Sequence, residues 1–120
     1  GRLSIISCVI VNFQFILCTI YGSNLDDPEI IYSLDLELAS WPLPHIICGD
    51  FNCYRPYSVA TQTLSQRKPR VASATDKLLT EYASVDAWQS LIPYDSGYTF
   101  YSIPHKKFFC INFLLLHTHY

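Results

Sequence analysis

The sequence predicts an α/β fold built as one domain over residues 1–120. Three features carry the prediction: uncharged runs of strand length rich in β-branched and aromatic residues, two segments whose apolar residues recur every three or four positions, and the alternation of the two kinds along the chain. Half of the 120 residues are hydrophobic and 15% are aromatic, enough for one core. Charged residues make up 15%, below the ~25% usual for soluble domains, so much of this surface expects a cover. The net charge of -2 and a pI near 6.0 exclude the strongly basic class of free-standing nucleic-acid binder. Arg67-Lys68-Pro69-Arg70 and His105-Lys106-Lys107 are local exceptions that suit solvated loops.

Leu3 to Tyr21 holds no charged residue and is long enough to cross a bilayer as a helix. Its apolar members are largely β-branched or aromatic, however, and Asn12 and Gln14 stand at its middle, where a hairpin turn wants polar side chains and a membrane helix does not. Two strands, Leu3 to Val11 and Phe13 to Tyr21, are therefore expected in preference to a membrane anchor over residues 3–21. Asp27-Pro28 reads as an N-cap followed by proline in the first turn of a helix. Ile30, Ile31, Leu34 and Leu38 give that helix one apolar face, and Trp41-Pro42-Leu43-Pro44 ends it. A strand follows from His45 to Gly49. Residues 53–69 form a long polar loop, and a second helix is expected from Ser73 to Ala83 with Ala74, Leu78, Leu79 and Tyr82 as its buried stripe. Tyr98 to Ser102 alternates like a strand, and Phe108 to Leu116 has the length and character of a central one.

The strand at His45 ends in Gly49-Asp50-Phe51-Asn52, which delivers a carboxylate and a carboxamide to its own exit. At a strand's carboxyl end such residues project toward the crevice where ligands bind in α/β folds. The segment resembles the GDFN signature of the endonuclease/exonuclease/phosphatase family, whose fold is like that of pancreatic DNase. Other blocks are similar to one branch of that family, the endonuclease domain of LINE-type retrotransposons. They are Ile20-Tyr21-Gly22-Ser23-Asn24 with Asp26-Asp27-Pro28 behind it, Val85-Asp86-Ala87-Trp88-Gln89, Tyr98-Thr99-Phe100-Tyr101-Ser102, and Cys110-Ile111-Asn112-Phe113-Leu114-Leu115 where R-I-D-Y-F-L is usual. The resemblance implies a layered sandwich of two β-sheets flanked by helices, here a partial domain incomplete at both ends. It also implies Mg²⁺-dependent phosphodiester cleavage, DNA as partner, and an intracellular, nuclear setting.

By the family pattern, Asp50 orients or deprotonates the attacking water and Asn52 hydrogen-bonds beside it. Tyr21 and Asn24 contact the scissile phosphate, and Thr99 lies along the cleft. Each has a structural alternative: Tyr21 as a strand end, Asn24 and Asp27 as helix caps, Thr99 as a strand residue facing solvent. The departures are equally specific. The family's metal-binding glutamate lies upstream of the Y-G-P-N block and its S-D-H block lies downstream of R-I-D, and neither falls within these 120 residues. Ser23 replaces proline, and Gln89 and Cys110 replace arginines. Asn112 stands for the aspartate that orients the catalytic histidine, and a carboxamide cannot supply the charge that stabilises an imidazolium. His117 and His119 lack the serine-aspartate context and take no role. The expectation is a degenerate nuclease-like fragment, inactive by itself, with no metal ligand set of its own. A sandwich without its opening and closing strands would leave sheet edges and an apolar face uncovered, so self-association through those edges is the alternative function. The five cysteines, at 8, 18, 48, 53 and 110, show no ligand spacing and are expected to be buried free thiols.

Overall fold

The computed structural model describes residues 2–23, 25–52, 69–92, 100–102, 107–109 and 112–117, with backbone alone for 100–102, 107–109 and 112. Among them the element order is β1 (Arg2–Ile10), β2 (Phe13–Tyr21), α1 (Glu29–Ala39), β3 (His45–Asp50), α2 (Arg70–Glu81), β4 (Ser84–Asp86), α3 (Ala87–Leu91), β5 (Phe100–Ser102), β6 (Lys107–Phe109) and β7 (Asn112–His117). Five strands form one mixed sheet in the order β1-β2-β3-β7-β4, in which β2 and β3 are parallel and the other neighbours antiparallel. The α/β class holds. The two-sheet sandwich does not: β5 and β6 pair only with each other, as a ribbon of three-residue strands too small to serve as a second layer.

Residues 3–21 form an antiparallel hairpin and not a helix, as their composition predicts. Among the described residues no helix is long and apolar enough to cross a membrane. The hairpin turns at Val11 and Asn12, both at positive φ (45° and 66°), between the paired residues Ile10 and Phe13. Positive φ at both central positions is the primed turn whose twist matches that of the flanking strands. Asn12 tolerates it; Val11 is β-branched and 92% exposed, so it carries the strain without compensating contacts.

Helix α1 begins at Glu29 with Pro28, and not the expected Asp27, as its N-cap; Asp27 accepts from Glu29 N at 3.1 Å just outside it, and of the expected stripe Ile31, Leu34 and Leu38 are buried and Ile30 is half-buried. Helix α2 begins at Arg70, three residues before the predicted start. The cause is Asp26, whose two carboxylate oxygens accept from Arg70 N (2.8 Å) and Val71 N (2.9 Å). Those donors lie 44 and 45 positions away, so no local pattern announces the cap. The earlier start moves the buried stripe to Val71, Ala72, Thr75, Leu78 and Leu79. Ala74 and Tyr82 are only half-buried, and the Tyr82 hydroxyl donates to the Asp35 carboxylate on α1 at 2.9 Å. The apolar run Phe108 to Leu116 is divided: its first part pairs with β5 and its last part lies between β3 and β4 in the main sheet. β4 and α3 are short elements that the periodicity did not show; Asp86 caps α3 by accepting from Gln89 N.

Pairing register assigns the side chains to faces. Ile16, Cys18 and Ile20 of β2, Ile47 of β3 and Phe113 and Leu115 of β7 point to one face, where they meet the buried stripes of α1 and α2 in a single core. Leu3 and Ile5 of β1 extend that core. The opposite face carries Ile6, Phe15, Leu17, Ile46, Leu114 and Leu116; Ile6 is 55% and Leu114 43% exposed. The predicted buried thiols divide likewise: Cys18 is buried, Cys8 and Cys48 are half-buried, and Cys53 and Cys110 lie outside the described residues. Burial pushes the Cys18 thiol up to about 11, with Cys48 and Glu37 adding to the effect, so it is held protonated and unreactive.

Two stability measurements follow from the turn and the cap. Val11→Asn should raise the unfolding free energy by about 1 kcal/mol in urea titrations, because asparagine occupies a left-handed position at lower cost. Asp26→Ala should lower it by about 1–2 kcal/mol and increase amide exchange in the first turn of α2, because two N–H groups lose their acceptor.

Candidate functional site

The carboxyl ends of β2 and β3 lie side by side, and two glycines allow them to do so. Gly49 sits at φ 138°, and a Cβ there would collide with the Ile20 carbonyl. A Cβ on Gly22 would strike the Phe51 carbonyl. With both positions bare, Gly22 N donates to Asp50 O at 2.7 Å and continues the ladder past the last paired residues, Tyr21 and Asp50. The chain then turns at Asn52, at φ 48°, a conformation asparagine adopts more readily than most residues. Asp50 supports that turn through its Oδ1, which accepts from Asn52 N at 2.8 Å. Asn52 Nδ2 donates to Gly22 O at 2.7 Å, so the turn is tied back to β2. Phe51, almost fully buried, packs edge-on against Phe113 with ring centroids 5.3 Å apart.

Register completes the row. Tyr21 pairs with Asp50, and Asp50 pairs with Asn112 of β7, so three of the predicted residues occupy neighbouring positions on three adjacent strands. Tyr21 and Asp50 belong to the sheet face away from α1 and α2, with Tyr21 exposed and Asp50 half-buried. Arg2 of β1 pairs with Tyr21 and extends the row by one strand. Asn52 is joined to this group by its hydrogen bonds. Asn24 and Thr99, the other predicted substrate contacts, lie outside the described residues, as do His105 and His119. His117 is described, and it stands at the far end of β7, five residues from Asn112 or ~16 Å at strand rise. It cannot serve Asp50.

The arrangement suits hydrogen bonding to a water or a phosphate oxygen: one carboxylate with a phenol and a carboxamide beside it. To a magnesium ion it offers, among the described residues, one carboxylate, Asp50. Magnesium sites use one or two free carboxylates around a hydrated ion. Asp50 Oδ1 accepts from Asn52 N and Asn52 Nδ2 donates to Gly22 O, which leaves Asp50 Oδ2 and Asn52 Oδ1 as the other oxygens of the pair. Among the described residues no three His, Cys, Asp or Glu side chains gather within ligating range.

The opposite end of the sheet holds a cluster that sequence reasoning missed. His45 Nε2 and Ser84 Oγ share a hydrogen bond of 2.7 Å, tying the start of β3 to β4 across β7. The rings of His117 and Tyr82 approach His45 edge-on at 5.2 and 5.8 Å. The only early signal was a histidine opening an otherwise apolar strand. Burial, with the neighbouring His117 adding to it, lowers the His45 pKa from 6.5 to about 4. Burial together with the Asp35 hydrogen bond pushes the Tyr82 hydroxyl up to about 12. Both groups are thus neutral near pH 7 and act as packed, hydrogen-bonded members of the core rim.

Among known protein families, none has a model that matches this chain.

The His45 environment sets a pH dependence. Below pH 6.5 the unfolded chain binds a proton at this residue that the folded chain refuses until about pH 4. Stability is therefore full above pH 6.5 and falls as pH drops through that window, by at most about 3 kcal/mol. Urea unfolding at about pH 7.5 and 4.5 should show the loss, and His45→Gln should remove most of the difference between the two.

Proposed function

We propose that this chain is a degenerate endonuclease/exonuclease/phosphatase-type domain of LINE-retrotransposon lineage, related to Mg²⁺-dependent enzymes that nick DNA in an intracellular, nuclear setting, and inactive by itself. One observation carries the reading: the Tyr21-Gly22, Asp50-Phe51-Asn52 and Asn112 blocks, far apart in sequence, converge at one end of one sheet. A chance string of motifs has no reason to converge. In this reading Asp50 holds a water near a phosphate, Tyr21 and Asn24 contact the phosphate, Asn52 holds the turn that presents Asp50, and Thr99 flanks the DNA backbone.

Inactivity follows from the same row. Where the family carries an aspartate the chain has Asn112, which offers a histidine no negative charge, and His117 is too distant to use it. Acid–base catalysis alone contributes ~10²- to 10⁴-fold, so its loss removes a large part of any rate. Among the described residues the row offers Mg²⁺ the single carboxylate of Asp50, so no step is assigned to the metal.

A second reading is favoured by β1. This nine-residue edge strand is uncharged from Leu3 to Ile10, and open edges of that kind pair with other chains. In that reading the domain serves as a self-associating interaction module.

Supercoiled plasmid incubated with the folded chain and Mg²⁺ should remain uncut, at the rate of buffer alone. Nicking that requires both Asp50, shown with Asp50→Ala, and metal, shown with EDTA, would overturn the inactive reading. Duplex DNA binding by fluorescence anisotropy tests the lineage: weakening by Tyr21→Ala supports it, and binding indifferent to that substitution counts against it.

A further inference from the structure

The end of the main sheet opposite the Asp50 row is closed over by one short turn. His45, 3% exposed, opens β3 there. Two residues cover it: Tyr82, whose ring stands edge-on to the imidazole at 5.8 Å, and Ser84, whose hydroxyl shares the 2.7 Å hydrogen bond. Between them lies Ala83, at φ 49°. We propose that Tyr82-Ala83-Ser84 is an acid-released clasp: when His45 takes a proton beside His117, the turn lifts, β4 and α3 leave the sheet, and the outer edge of β7 opens while β1, β2 and β3 stay paired. This device is independent of the nuclease lineage and of association through β1.

The trigger is geometric. The rings of His45 and His117 stand 5.2 Å apart on neighbouring strands, so two imidazolium charges there would repel at a site that shelters His45 from water. Ser84 pairs with His117 in the ladder, so the covering group and the repelling group meet in one row. Among the described residues the other titratable groups around them belong to the neighbouring elements. Tyr82 is a neutral phenol whose hydroxyl donates to Asp35 of α1, and Glu81 lies within electrostatic reach of Tyr82. Asp86, two residues along β4 from Ser84, accepts from Gln89 N. The charge that acts on His45 directly is that of His117, and it opposes protonation.

Three features make the clasp the part that yields. Among the described residues β4 is three residues long and pairs on one side only, with β7, whereas β3 is held between β2 and β7. α3 follows β4 without a break and takes its cap from Asp86, so the two move as one piece. Ala83 holds a left-handed conformation that disfavours any residue with a Cβ, so opening releases strain. Small, weakly held units of this kind open before the whole chain does. Under the clasp His45 resists a proton until about pH 4, and once uncovered it accepts one near 6.5. The opening constant is therefore flat above pH 6.5, rises as pH falls, by about 20-fold from pH 7 to pH 5, and levels off below pH 4.

Amide hydrogen exchange of the full chain, read residue by residue and corrected for the intrinsic effect of pH, tests the proposal. Protection of the β4 and α3 amides should fall about 20-fold from pH 7 to pH 5. Urea below the unfolding transition should leave their exchange unchanged, as for a local opening, while the β1 and β2 amides are better protected and respond to it. His45→Gln should abolish the pH dependence in β4 and α3. Ala83→Gly removes strain from the closed turn without touching either histidine, and it should raise β4 protection about threefold at both pH values. If β4 and α3 exchange with the same protection and urea response as β1 and β2, opening is global and the clasp does not exist. Wild-type protection of β4 and α3 that ignores pH overturns the proposal equally, whatever the variants do.

Discussion

The close approach of β2 and β3 past two glycines is the constraint on which the rest of this structure depends. A side chain at Gly49 or Gly22 would occupy space taken by backbone carbonyls, and the parallel ladder would end short of Tyr21 and Asp50. With the ladder intact, the turn at Phe51 and Asn52 folds back onto Gly22, and Phe51 is driven into the core against Phe113. β7 can then pair along β3 to Asp50, which sets Asn112 in the row. Backbone proximity comes first, and the grouping of polar side chains is its result.

The loop leaving β2 distributes the helices. Adjacent aspartates serve different ones: Asp27 accepts from the first residue of α1 and Asp26 begins α2. A carboxylate at a helix start also opposes the positive end of the helix dipole, so both contacts are electrostatically favourable. Because both contacts spring from one short segment, both helices are delivered to the same side of the sheet. That neither α1 nor α2 covers the opposite side is therefore built into the connectivity and is not a local accident of composition.

Much of this architecture was legible in the sequence, and the reasons differ by element. The hairpin was readable from β-branched runs around Asn12, and α1 from Asp27-Pro28 and the spacing of Ile31, Leu34 and Leu38. The end of β3 was readable from Gly49-Asp50-Phe51-Asn52, where a steric need for glycine adjoins polar residues. The start of α2 was not readable, because its cap comes from Asp26 across 44 positions. Nor was the division of Phe108 to Leu116, since an unbroken apolar run carries no mark of which strand will pair with it. The absence of a second layer escaped for a related reason: Tyr98 to Ser102 alternates correctly, yet its described part pairs only as a three-residue strand with β6. His45, Ser84 and His117 come from three separate segments, and only the sheet order brings them together.

The strand order has a consequence for synthesis on the ribosome. β1, β2 and β3 are all made within about fifty residues of one another, and the hairpin between the first two closes through local contacts in ~1–10 μs. β7, which covers the other flank of β3, begins only at residue 112. At ~5–20 residues per second, β3 waits roughly 3 to 12 seconds with one edge unpaired. During that interval the nascent chain offers Ile46, Ile47 and Cys48 on an open strand, so the demand for chaperone shielding falls between the synthesis of β3 and that of β7.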